Sequence, residues 1–152
     1  MAQKRTAYSL VELVIVVIFL GVIAAIAVPR LNFAIISGQK TDTTAWKIVT
    51  DLRRTRSLAV SNAAENTTGF ALNMTGSAPY SGYEIQNLNT SAIVDSHTID
   101  SNINCTGSNQ FKFGPLGNLL TGSGNQLIVS ASGKTFTITL TTATGAIKCT
   151  EN

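Results

Sequence analysis

The apolar positions of this chain fall into three regimes. From Leu13 to Val28 every side chain is apolar, and the run extends as a nearly pure apolar segment over residues 8–29, broken by Glu12. It has no amphipathic stripe, so it reads as a helix buried on every side, in lipid or among its own kind. About 20 such residues at 1.5 Å each match a bilayer core of about 30 Å. Beyond Pro29 the pattern becomes amphipathic. Ala45, Ile48, Leu52, Thr55 and Ala59 recur at steps of three and four with Trp46, Val49 and Val60 alongside, while Asp42, Asp51, Lys47, Arg53, Arg54 and Arg56 form a polar face toward solvent. One long helix is expected, bent near Pro29, with a second weak point at Gly38, and ending at Ser61 or Asn62. From Thr68 the period shortens to two. Strands are expected over residues 68–73, 83–88, 97–103, 110–113, 126–132, 134–141 and 146–149, punctuated by Gly, Asn and Ser. Phe136, Ile138 and Leu140 alternate with threonines, and Ser132-Gly133 is the turn of the clearest hairpin.

The predicted fold class is therefore α+β: a long N-terminal helix whose amphipathic half packs on an antiparallel sheet domain. Residues 1–7 form a basic leader, 8–30 a hydrophobic membrane or assembly helix, 31–62 the amphipathic half, and 63–152 a β-rich head. Lys4 and Arg5 precede the apolar helix and Arg30 follows it, so the leader is expected on the cytoplasmic side and the head outside. The calculated isoelectric point near 9.1 changes little. Residues 31–152 hold eight Lys and Arg against seven Asp and Glu, which leaves no strong field to attract nucleic acid. Two cysteines, Cys105 and Cys149, fall in the part expected outside the membrane. In an oxidising compartment they read most simply as one disulfide contributing about 3–4 kcal/mol.

Two processing sites compete. Ala25-Ile26-Ala27 has the small-x-small form of a secretory cut, but Glu12 interrupts the apolar region and Pro29 would fall immediately after the new terminus. The other reading rests on Ala7-Tyr8-Ser9-Leu10-Val11-Glu12-Leu13 and Pro29. Counted from Tyr8, Glu12 is fifth and Pro29 twenty-second. This pattern resembles the class III signal of type IV pilins and pseudopilins, with Ala7 in place of the usual glycine before the cut. The C-terminal half, with Phe111-Lys112-Phe113-Gly114-Pro115-Leu116-Gly117, the hairpin, and Gly145-Ala146-Ile147-Lys148, is similar to the GspH/FimT group of minor pilins and pseudopilins. So does the helix segment 52–61 before the first strand.

The resemblance implies cleavage by a prepilin peptidase between Ala7 and Tyr8, N-methylation of Tyr8, and insertion in a bacterial inner membrane with the head periplasmic. Assembly into a pilus or type II secretion pseudopilus would follow, as a minor subunit or, alternatively, a major pilin. Glu12 within an apolar helix needs a partner. The α-ammonium freed at Tyr8, one turn away, is the natural one, within a chain or between neighbouring stalks. A second implication is DNA capture for uptake, for which Lys112, Lys134 and Lys148 are the candidate contacts. Arg53, Arg54 and Arg56 make the one basic cluster outside the leader, read as complementing the negative end of the helix dipole or as a phosphate patch. Catalytic chemistry is not expected. There is one histidine, no nucleophile elbow, no phosphate-loop glycine pattern and no metal-ligand spacing, so neither cofactor nor metal is anticipated.

Overall fold

A computed structural model describes residues 9–27 and 33–152 of the chain. Two compact units emerge, residues 1–33 and 34–152. Ala7, Tyr8 and Pro29, to which processing and bending were assigned, lie outside the described residues.

The first unit contains α1 (Leu10–Ala27), an 18-residue helix. Ser9 caps it, since its carbonyl accepts from Glu12 N at 3.0 Å and Leu13 N at 3.2 Å. At 1.5 Å per residue α1 is about 27 Å long, slightly under the hydrocarbon thickness of a bilayer. Among the described residues no helix is long and apolar enough to cross a membrane.

The second unit is a head built from the remainder of α2 (Phe33–Ser61) and eight strands. The strands are β1 (Phe70–Thr75), β2 (Gly82–Asn87), β3 (Ile93–Thr98), β4 (Asn104–Gly107), β5 (Gln110–Phe113), β6 (Gln126–Ala131), β7 (Lys134–Leu140) and β8 (Ile147–Glu151). They form two antiparallel four-stranded sheets, β3-β2-β1-β5 and β4-β6-β7-β8, where a single sheet domain was expected. On α2, Ala45, Ile48, Val49, Leu52 and Ala59 are fully buried and share one core with Leu72, Tyr83, Phe111 and Phe113 of the first sheet and Leu127, Val129 and Ile138 of the second. That is the helical period predicted, completed by buried Thr41 and Thr55. Thr55 Oγ1 donates to Asp51 O at 2.7 Å, which lets a hydroxyl sit in the core.

The helix departs from the expected pattern in two places. Trp46 and Val60 are about half exposed, and Asp51, placed on the solvent face from sequence, is buried at 7 % exposure. Among strands, β5 falls where predicted and β6 and β7 within one residue. Their turn has φ of 51° at Ser132 and 82° at Gly133, the two positive values a type I′ hairpin requires. The predicted strand 97–103 is corrected. It overlaps β3 only at His97 and Thr98, and residues 99–103 turn through a bond from Ile103 N to Asp100 O. β4 was not predicted at all. Both β3 and β4 are sheet edges, and β3 buries no face, so neither carries a clear alternation.

Candidate functional site

α1 presents one candidate surface. Its large side chains are exposed on every face, from Leu10 at 80 % to Phe19 at 65 % and Val14 at 45 %, so no stripe is reserved for a single partner. Glu12 sits in the first turn, where the positive end of the helix dipole favours a carboxylate.

On the head, the densest polar cluster joins α2 to the first sheet. Tyr83 on β2 donates its hydroxyl to Asp51 Oδ2 at 2.7 Å. Burial, reinforced by that carboxylate, pushes the Tyr83 phenol well above its ordinary range. His97 on β3 lies with its ring 5.3 Å from the Tyr83 ring, and its Nε2 is 3.4 Å from Asp51 Oδ2 and 3.5 Å from Asp95 Oδ2. Lys47 Nζ stands 3.2 Å from His97 Nδ1. An ammonium has only donors, so Nδ1 accepts and the ring proton resides on Nε2, facing the carboxylates. Arg54 closes the cluster by donating to Asp95 Oδ2 at 2.6 Å, which holds the Asp95 carboxyl below its usual range. Two cations, two carboxylates and one imidazole meet in this cluster. The arrangement clamps the β2–β3 edge to the helix. It contains no nucleophile beside a base, and three grooves on the head, of about 390, 410 and 260 Å³, are lined by other residues.

The cysteines do not form the expected bridge. Both are free. Cys105 is on β4 and Cys149 on β8, the opposite edges of the second sheet with β6 and β7 between them. Three strand spacings come to about 14 Å, beyond the roughly 7 Å that a disulfide spans between Cα atoms. Cys105 is fully buried and its thiol is pushed up to about 12 by desolvation. Burial also raises Cys149, against an opposing pull from Arg53.

The three lysines proposed to meet DNA are not brought together. Lys134 starts β7 on the face that carries Phe136 and Ile138, and it is held by Asp42 at 2.9 Å and Glu151 at 3.8 Å. Asp42 keeps its ammonium above the ordinary range. Lys148 pairs with Thr139, on the opposite face and about 16 Å further along β7. Lys112 belongs to the other sheet. The arginine cluster also divides. Arg54 turns to Asp95, whereas Arg53 and Arg56 line a separate groove with Val60 and Leu116. The last turn of α2 has no basic residue, so Arg53 and Arg56 lie outside the reach of the dipole's negative end.

Sequence reasoning also passed over Asn66. It is 3 % exposed, and its Oδ1 accepts from Thr68 N, Thr68 Oγ1 and Gly69 N, while its Nδ2 donates to Gly69 O and Asn87 Oδ1. An Asn three residues before a glycine at the start of a strand, as in Asn66-Thr67-Thr68-Gly69, is a turn signal that could have found it. No protein-family model, curated protein or solved structure matches the chain.

Proposed function

We propose that the protein is a structural subunit of a type IV pilus or type II secretion pseudopilus, of the minor, GspH/FimT kind. In this reading a prepilin peptidase cuts between Ala7 and Tyr8 and the subunit waits in the bacterial inner membrane with its head outside. It then assembles by bundling α1 with α1 of its neighbours. The observation that carries it is the surface of α1, exposed on all sides over residues 10–25 and apolar there apart from Glu12. Each Val, Leu or Ile removed from water contributes about 1.5–3 kcal/mol, so a helix of this kind is not stable facing water alone. In this reading the apolar run of the sequence, residues 8–29, is the membrane and assembly segment. Within such a bundle the Glu12 carboxylate is matched by an α-ammonium at Tyr8, and it fixes axial register between stalks.

The test is intact mass and N-terminal sequencing of the chain expressed beside a prepilin peptidase. A start at N-methyl-Tyr8 is expected. Glu12→Ala is expected to be cut but to leave filaments unassembled. A chain beginning at Val28, or one left uncut even as Ala7→Gly, sinks the proposal.

A further inference from the structure

Arg56 occupies a constructed socket. Its Nε donates to Gly117 O at 3.0 Å. A Cβ at Gly117 would stand 3.1 Å from that nitrogen, and one at Gly145 3.2 Å from it. Both glycines have positive φ, 77° and 62°, so two turns distant in sequence are shaped to close over one guanidinium. Nε is thereby committed to backbone, while the four remaining N–H donors of the fork are left for other partners. One turn earlier Arg53 lines the same groove of about 410 Å³, together with Ser57, Ser61, Val60 and Leu116. Leu116 is 89 % exposed at the tip of its turn. Among the described residues neither arginine pairs with a carboxylate, and each sits too far from the end of α2 to answer its dipole.

A complementary surface exists on the same molecule. Glu84 on β2 is half-buried and, among the described residues, has no ion pair. Its neighbours do not serve it. Asn73 Nδ2 donates to Gln86 Oε1, Gln110 Nε2 donates to Asn73 Oδ1, and Gln86 Nε2 donates to Ser91 O. Ile93, 59 % exposed, is the partner of Gln86 beyond a bulge that shifts the register between Ile85 and Gln86, and so shares the face of Gln86 and Glu84. Each patch thus combines an exposed aliphatic side chain with uncompensated charge, and the signs are opposite. They cannot meet within one chain. Tyr83 points to α2, so the adjacent Glu84 points away from it, across the sheet from the arginines.

We infer that the Arg53–Arg56 groove is a docking site for a second copy of this chain, receiving Glu84 and Ile93 of the neighbour's first sheet. Glu65, the other carboxylate side chain without an ion pair on the described head, is exposed and flanked by Ala64 and Asn66, so it lacks a large aliphatic anchor. The contact joins two different patches, and a heterologous contact that does not close into a ring continues into a helical array. It rests on the filament reading only in requiring copies side by side.

The experiment places a photo-reactive benzoylphenylalanine at Leu116 in the full chain, expressed beside a prepilin peptidase and illuminated in isolated membranes. Cross-links are mapped by mass spectrometry, and the N-terminus of the same sample is sequenced. A dimer joined to residues 82–98 of the second copy is expected. Arg53→Glu is expected to lower its yield about tenfold, and Arg53→Glu with Glu84→Arg to restore most of it. Arg53 is exposed, so its reversal leaves the fold intact, unlike Arg56. Cross-links to other residues, no dimer, or a yield indifferent to the charge exchange overturns the inference. The N-terminal sequence judges the filament reading separately.

Discussion

Tyr83→Phe removes one oxygen and nothing else from the clamp between α2 and the first sheet. The ring stays, with its 5.3 Å contact to His97. What is lost is a 2.7 Å bond to the carboxylate of Asp51, a residue 7 % exposed. Among the described residues Asp51 then keeps only His97 Nε2, at 3.4 Å, as a side-chain partner. A hydrogen bond to a charged acceptor contributes about 1.5–3 kcal/mol, so a loss near 2 kcal/mol is expected. Tyr80→Phe is the internal control. Its hydroxyl donates over the same 2.7 Å, but to a neutral acceptor, Gly107 O, for which about 1 kcal/mol applies. Urea unfolding of the full chain in detergent, followed by the fluorescence of Trp46, reads both. With a slope of about 1–3 kcal/mol per M, Tyr83→Phe lowers the midpoint by about 1 M and Tyr80→Phe by about half that. In a cycle with Asp51→Ala, the effect of Tyr83→Phe shrinks by at least 1 kcal/mol, as coupled partners require. Equal costs for the two tyrosines, or strict additivity with Asp51→Ala, would show that the Tyr83–Asp51 bond does not hold the sheet to the helix.

Stability should fall as the solution becomes alkaline. Cys105 is raised from 9.0 to about 12, Tyr83 is raised by burial, and Lys134 is raised by Asp42. A raised group contributes stability that is complete below its unfolded value and lost as pH climbs toward the folded one, so the decline begins near pH 9 and continues through about 12. Cys105→Ala should flatten the unfolding free energy against pH in that window, and an unchanged slope would contradict the assignment. Thiol labelling checks the corrected cysteines. Under non-reducing conditions the native chain takes one alkylating group, at half-buried Cys149, and the urea-unfolded chain takes two; a chain that takes none after unfolding has the bridge that the strand order excludes.

The legible parts of this fold are those in which one element decides its own burial. The period of Ala45, Ile48, Leu52, Thr55 and Ala59 specifies the inner face of α2 without reference to its partners. Ser132-Gly133 specifies the β6–β7 turn because positive φ is a local demand. The unread elements had no such local signature. β3 and β4 are edges with at most one buried side chain between them, Cys105, so alternation had little to register. Asp51 misled for a related reason. In a helix, a carboxylate matched by a partner 32 residues away looks identical to one matched by water.

Pairings across the sheets were beyond the sequence for a topological reason. Whether Cys105 and Cys149 are neighbours depends on strand order. A cysteine four strands from another in sequence could sit beside it or, as here, at the far edge. The same holds for charge. Three arginines within four positions look like one patch, yet successive helical residues differ by about 100° around the axis. That rotation sends Arg54 to Asp95 and leaves Arg53 and Arg56, three positions apart, on a common face. Lys134, counted with Lys148 as a candidate contact, finds its carboxylate 92 residues back at Asp42. Composition had already shown near-neutrality of residues 31–152. Among the described residues the balance is local for Lys40, Arg54 and Lys134, each beside an aspartate, and not for Arg53, Arg56 and Glu84. Charges neutralised at home contribute to the head's own stability. The ones left over on opposite sides of it are open to another molecule.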